Sequence, residues 1–248
     1  IEFTAYKISE GALHLRPFSF SSLALSCPMS VSENLKTIRD NIEKTARKWG
    51  RIGNDINLVA VSKTQPPEKI REALDSGHRL FGENRVQEAI AHWREIKPLY
   101  PDLKLHLIGP LQTNKVKEAV SLFDMIETLD REKLAHALAA EMQKQGRNIP
   151  CLIQVNTGAE DQKVGIAPEN LSQFLKFCRE DCRLDIRGLM CIPPVDEPAA
   201  LHFALLKKLA EENGVKDLSM GMSADYEKAI PLGATYIRIG TALFGPRL

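Results

Sequence analysis

The chain has 248 residues, 44% of them hydrophobic and 26% charged, which suits one large α/β domain or two small ones. Lys and Arg number 33 against 32 Asp and Glu, and a net charge of +1 gives no field that favours nucleic acid or an anionic membrane. No uninterrupted apolar run approaches the length of a membrane span.

Residues 1–28, "IEFTAYKISEGALHLRPFSFSSLALSCP", have no clear period and precede "MSVSENLKTIRDNIEK", which opens at Met29. They are expected to form a non-native or disordered tail. A transit peptide fits less well, because Glu2 and Glu10 are present and basic residues are sparse. A secretory signal lacks its basic start. The domain itself is expected over 29–248.

Over 33–49, Leu35, Ile38, Ile42, Ala46 and Trp49 share one helical stripe, so a lead helix precedes any strand. Strand-like runs then follow at 58–62, 79–81, 104–108, 124–128, 151–155, 186–192, 217–220 and 234–239. Amphipathic stretches lie between them. Ile70, Ala73, Leu74 and Gly77 mark one, and Val86, Ala89, Ile90, Trp93 and Ile96 another. Leu134, Leu138 and Met142 mark a third; Leu171, Phe174, Leu175 and Cys178 mark a fourth. Pro66 and Pro67 suit a helix's first turn, and Asp130 and Ser223 suit N-caps.

Eight strand–helix units at a spacing of roughly 25 residues predict a single (β/α)8 TIM-type barrel with an extra amino-terminal helix. A doubly wound open sheet is the alternative, but no G-x-G-x-x-G follows the first strand. Five cysteines (Cys27, Cys151, Cys178, Cys182, Cys191) are an odd number, and none forms a C-x-x-C pair. They read as reduced thiols of a cytoplasmic protein, with no metal site.

In such a barrel the working groups gather at the C-terminal ends of the strands. Lys63 follows strand one, and "GENRVQE" (82–88) follows strand two. His106 lies on strand three, before "GPLQTNK" (109–115). "NTGAEDQKVG" (156–165) follows strand five and "IPP" (192–194) strand six. "SMGMSAD" (219–225) and "RIGTALFG" (238–245) end the last two strands, and carry Ser219, Gly221, Ser223, Gly240 and Thr241. Glycine backbone and hydroxyls in these two loops predict a phosphate cup.

Lys63 at the first strand end then faces a phosphorylated ligand. A partly desolvated lysine has a lowered pKa and forms a Schiff base with an aldehyde. Pyridoxal 5′-phosphate meets both conditions. Tyr236, Arg238 and Gly240 alternate onto one face of strand eight, so Arg238 points inward if Gly240 lines the cup. An inward cation beside the pyridine nitrogen keeps it unprotonated and weakens the ring as an electron sink.

Each signal has a plainer reading. A lone lysine is usually a surface residue, and a buried arginine is often an ion-pair partner. His106 suits a satisfied core histidine, Asn84 a helix cap, Ser219 and Gly221 a turn, and Glu83 and Lys115 a solvated rim. Joint placement at one end of one barrel favours the functional reading.

The motifs "VAVSKTQP", "FGENRVQE", "HLIGPLQTNK", "QVNTGAEDQKVG", "GLMCIPP", "LSMGMSADYEKAI" and "IRIGTALFG" span about residues 33–245. As an ordered set they resemble the pyridoxal-phosphate homeostasis protein family, whose barrel is similar to the amino-terminal domain of alanine racemase. The resemblance implies that Lys63 carries the Schiff base. It also implies that Ser219 or Ser223, with Met220, Gly240 and Thr241, surround phosphate and ring. Arg238 matches the arginine beside the pyridine nitrogen, and Asn84 and His106 match residues lining the pocket. The implied role is carrying the cofactor in vitamin B6 and amino-acid homeostasis without catalytic turnover, with PLP-dependent apo-enzymes as partners. The ending "FGPRL" departs from the family pattern.

Two other functions compete. A racemase needs a base on each ring face, and the tyrosine-bearing second domain of the similar racemases has no counterpart after Gly240; Tyr100, Tyr226 and Tyr236 are the substitutes. A Schiff-base aldolase on a sugar phosphate would also use Lys63. Without the second domain a monomer is expected.

Overall fold

The computed structural model describes residues 30–158 and 164–246. The expected tail over 1–28, part of the 156–165 loop, and the last two residues lie outside the described residues. Chain order runs α1 (Val31–Lys48), β1 (Asn57–Val61), α2 (Pro67–Asp75), β2 (Leu80–Glu83), α3 (Val86–Trp93), β3 (Lys104–Leu107) and α4 (Val116–Leu122). It continues with β4 (Met125–Leu129), α5 (Glu132–Gln145), β5 (Cys151–Gln154), α6 (Leu171–Glu180), β6 (Ile186–Met190) and α7 (Ala199–Glu212). β7 (Asp217–Met222), α8 (Tyr226–Ala229), β8 (Tyr236–Ile239) and α9 (Thr241–Phe244) complete it.

The strands are parallel and close in sequence order, with β8 pairing back onto β1. This is the (β/α)8 barrel that the spacing predicts. Alternation gives the wall two faces. Leu58, Ala60, Phe81, Leu105, Leu107, Ile237 and Ile239 point outward into the main core beneath the helices. Val59, Val61, Ile108, Met125, Leu152 and Met190 point inward and fill the barrel in two small clusters. The strands are apolar on both faces, so they read as runs rather than as alternating patterns.

Strand β2 extends past its expected end to Glu83. Gly82 permits this: a Cβ there would meet Val59 at 2.8 Å and Ile108 at 3.0 Å inside the barrel. Its glycine signals a crowded interior, not the loop that composition suggests. The stripes over α2, α3, α5 and α6 all face the core. Helices α4 and α7 escape the periodicity reading; α7 runs "AALHFALLKKLAEE", with apolar residues on too many sides to show a clean stripe. Neither expected cap forms. Arg131 and Asp225 occupy the N-cap positions of α5 and α8, and Asp130 pairs with Arg131 at 2.5 Å instead.

The lead helix has a structural task. After β8, among the described residues, the four-residue α9 is the helix that covers the seam with β1. Helix α1 packs against α2, α8 and α9 and closes that gap in the helical ring. It starts on a capping box, with the Ser30 hydroxyl accepting from the Glu33 amide at 3.1 Å and Glu33 returning to the Ser30 amide at 2.9 Å. Leu35, Ile38, Ile42 and Ala46 are buried as expected, whereas Trp49 lies past the last turn and is 59% exposed. Asn34 donates to the Leu243 carbonyl at 3.0 Å, and the Lys69 amine donates to that of Phe244, which pins α9. No helix among the described residues is long and apolar enough to cross a membrane.

Because α1 completes the ring, Ile38→Ala should cost about 2–5 kcal/mol, the range for deleting a buried aliphatic side chain. Urea unfolding measures it. A loss below about 0.5 kcal/mol would mean that the seam does not depend on α1.

Candidate functional site

At the C-terminal end of the strands lies a cavity of about 280 Å³, lined by Val61, Lys63, Gln65, Asn84, Ile108, Ile192, Met222, Ser223, Ala224, Arg238, Gly240 and Thr241. Strand alternation builds it. Val59 and Val61 face inward, so Lys63 continues that face beyond the end of β1. Asn84 likewise follows Gly82, Ile192 follows Met190, and Gly240 follows Arg238. Of the nine residues singled out from sequence, Lys63, Asn84, Ser223, Arg238, Gly240 and Thr241 meet here.

His106, Ser219 and Met220 do not line this cavity. His106 sits two residues before Ile108 on the same face, hence one layer deeper, with its ring 5.4 Å from that of Tyr236. Both residues line a separate hollow of about 630 Å³ that also takes in Arg39, His78 and Arg79. Met220 points outward into the helix-covered core. A register shift between Ser219 and Met222 turns Met222 toward the cavity in its place. At the shift Gly221 has φ +91°, and a Cβ would meet Ala229 at 2.7 Å and Tyr226 at 2.9 Å. Only glycine fits that turn.

Ser219 belongs to a polar chain inside the barrel. The Arg238 guanidinium donates to Ser219 Oγ at 2.6 Å and to the Cys191 carbonyl at 2.8 Å. Arginine only donates, so the hydroxyl accepts and must send its one hydrogen to Glu127 Oε2, 2.5 Å away. His106 Nδ1 donates to the other carboxylate oxygen at 2.7 Å. Ser219 has therefore spent its hydrogen, and has none to offer a phosphate. Burial pushes the Glu127 carboxyl up, but the His106 hydrogen bond, the His106 and Arg238 charges and the Ser219 hydroxyl outweigh it and hold it below its ordinary value. Glu127 is thus the anion that balances Arg238, which is itself 3% exposed. Sequence reading missed Glu127. A carboxylate within the buried strand run "MIETL" was the available signal, since a buried charge demands a partner.

The two loops expected to form a phosphate cup meet through Ser223, whose hydroxyl accepts from the Ala242 amide at 3.3 Å. This ties the β7 loop to the first turn of α9. Gly240 has φ −112°, so its backbone does not demand glycine. A Cβ there would reach only ordinary contact with Val61, at 3.5 Å. Neither strain nor crowding explains the missing side chain. Its absence leaves room at the cavity wall for a ligand to approach the backbone. A partly buried lysine, two hydroxyls and a buried arginine suit an anionic aldehyde.

Glu127→Leu should leave Arg238 buried without its counter-charge and cost about 3–5 kcal/mol at neutral pH. The depressed Glu127 pKa stabilises the fold fully above its ordinary value of 4.5, and that gain is lost as pH falls through the folded value. The gap between variant and parent should therefore narrow below pH 4.5, as read by denaturant unfolding across pH. A gap that stays constant would remove Glu127 as the counter-ion.

Comparison with known proteins places these features in a family. Residues 34–247 match the model of the alanine racemase N-terminal domain. The pyridoxal phosphate homeostasis protein of Vibrio cholerae is 42% identical over 88% of this chain and 97% of its own length. That of Escherichia coli K12 is 39% identical over 97% of its length. The structure of PipY from Synechococcus elongatus without PLP superposes with a TM-score of 0.78 at 38% identity, covering 87% of this chain and all of PipY. The PipY structure with PLP bound gives 0.75 at 37%. An alanine racemase of Clostridium difficile matches at 0.67 and 15% identity, and this chain covers 57% of it, which shows the shared barrel alone. The chain belongs to the pyridoxal phosphate homeostasis protein family.

Proposed function

We propose that this protein binds pyridoxal 5′-phosphate through Lys63 and carries it, serving vitamin B6 and amino-acid homeostasis without turnover. One observation supports this above the rest. A single cavity joins Lys63 to the Ser223, Gly240 and Thr241 rim, with Arg238 in its wall. Relatives of similar length bear the homeostasis name, and PipY has been seen with PLP.

In this reading Lys63 would hold the group through its amine, whose capture of an aldehyde carbon releases the carbonyl oxygen as water. Ser223, Thr241 and the Gly240 backbone hold the phosphate. Arg238, as a donor only, would oppose protonation of a pyridine nitrogen held beside it. When bound, the group offers an electron sink, and an unprotonated nitrogen weakens it. Carrying is thereby favoured over carbanion chemistry.

The tyrosines argue in the same direction. Tyr226 is buried in the core, Tyr100 lies under the Arg79 guanidinium, and Tyr236 sits in the barrel interior, where burial pushes its pKa up to about 12. None of the three lines the cavity, so no described tyrosine stands opposite Lys63 as a second base. This disfavours the racemase. A cytoplasmic monomer that hands its cargo to PLP-dependent apo-enzymes completes the proposal. Four buried, unpaired cysteines among the described residues suit a reducing compartment.

Mixing the purified protein with PLP should produce a visible absorbance. Borohydride should then fix the added mass on the peptide that contains Lys63. Lys63→Ala should lose both signals while keeping its circular dichroism; label on another lysine would sink the assignment. Chiral analysis after incubation with L-alanine should detect no D-alanine, and its appearance would favour the racemase.

A further inference from the structure

Behind Lys63, on the outer face of the barrel wall, lies a carboxylate that the proposed function leaves unused. Glu83 ends β2 and is fully buried, contrary to its expected place on a solvated rim. One of its oxygens, Oε1, takes the Ser62 hydroxyl at 2.7 Å, the Trp93 indole at 3.0 Å and His92 Nδ1 at 3.0 Å. The other, Oε2, is buried and has no hydrogen-bond partner. Leaving one oxygen dry is costly, so the crowded one is held where it is for a reason.

The sequence positions suggest that reason. Val61 pairs with Gly82, so Ser62 and Glu83 are the next pair along β1 and β2, and Lys63 and Asn84 the pair after that. Ser62 and Glu83 turn outward and bond to each other. Lys63 and Asn84 turn inward and line the cavity. The Ser62–Glu83 bond therefore clamps two strand ends immediately before the residues they present to the ligand.

The backbone just beyond needs such a clamp. The Gln65 amide closes a turn onto the Ser62 carbonyl at 3.1 Å, with Lys63 and Thr64 at its centre. Thr64 has φ +58°, a left-handed conformation that a β-branched residue rarely adopts. Strain of this kind persists only where the surroundings over-determine it. Ser62 is the first residue of the turn. It is anchored by its amide to the Gly82 carbonyl at 3.1 Å and by its hydroxyl to Glu83.

We infer that Glu83 is a positioning residue for Lys63: through Ser62 it fixes the strained turn that aims the Lys63 amine into the cavity. This rests on the reading of Lys63 as the cofactor-binding amine. The histidine on the same oxygen shows how strongly the carboxylate acts on its surroundings: its pKa is raised, chiefly by the Glu83 hydrogen bond.

Two readouts test the inference in the full chain. The first needs no cofactor: competitive acetylation by acetic anhydride, mapped by peptide, compares Lys63 with the exposed Lys36. In Ser62→Ala and Glu83→Leu the labelling ratio should move from its parental value toward one. The second is PLP affinity by absorbance, which should fall roughly tenfold or more in both variants, as displaced reacting groups do. Glu83→Gln, whose amide oxygen still accepts the Ser62 hydroxyl, should recover most of both signals. Leu138→Ala in α5, packed away from β1 and β2, controls for general loosening and should change neither. Unchanged labelling and affinity in Ser62→Ala and Glu83→Leu would overturn the inference, as would equal shifts in Leu138→Ala. If the parent fails to bind PLP while its labelling ratio still responds to Ser62→Ala, the cofactor reading falls and the clamp stands.

Discussion

Arg238 is a permanent cation almost sealed inside a barrel, and the arrangement of the site depends on its neutralisation. A guanidinium cannot shed its proton, so the fold must supply an anion or bear a large desolvation cost. Glu127 is that anion, and Ser219 is the bridge between them. The chain ties β8 to β7 through Ser219, then to β4 through Glu127 and β3 through His106. Four strands are cross-linked by polar contacts inside a wall whose inward clusters are built from Val, Ile, Leu and Met with Tyr236. Hydrogen-bond directions along the chain are all determined, because arginine can only donate and a carboxylate can only accept. Such a directed network holds Arg238 in one orientation toward the cavity.

The sequence made the architecture legible because a parallel barrel repeats a strong local signal eight times. Individual strand ends were off by a few residues where glycine or a register shift intervened, as at Gly82 and Gly221. The inward face was legible by the same two-residue period. Lys63, Asn84, Arg238 and Gly240 fall on one cavity because each stands an even number of residues from an inward neighbour. Depth was not legible. His106 and Ile108 share a face, and nothing local says which of them reaches the mouth. Ser219 and Ser223 both looked fit for phosphate. Only the partner across the barrel, Glu127, reveals that Ser219 is occupied. Long-range pairs of this kind, 92 residues apart in sequence, leave no periodic trace. Glu83 was misread for the same reason: its partners Ser62, His92 and Trp93 converge only after β1, β2 and α3 have docked.

Both faces of the wall thus contribute to one site. Inward residues line the cavity, while outward neighbours of the same residues set the backbone that presents them. A buried acid serves each face: Glu127 inside, against Arg238, and Glu83 outside, against the turn that bears Lys63. They act on neighbouring strands of the same cavity, one on the cation of β8 in its wall and one on the amine that follows β1.

This division fits the proposed role of holding a reactive aldehyde without using it. Precision at the amine favours reversible capture, since a well-placed lysine both forms and releases a C=N bond readily. Catalysis on the captured group would need more, namely a protonated ring nitrogen and a second base. In the proposed reading the first would be opposed by a donor-only Arg238 that is held by Ser219 and the Cys191 carbonyl. The second finds no described tyrosine in the cavity lining. On the proposed reading, a barrel shared with alanine racemases would keep the capture step and omit the chemistry, because the two demands fall on different residues.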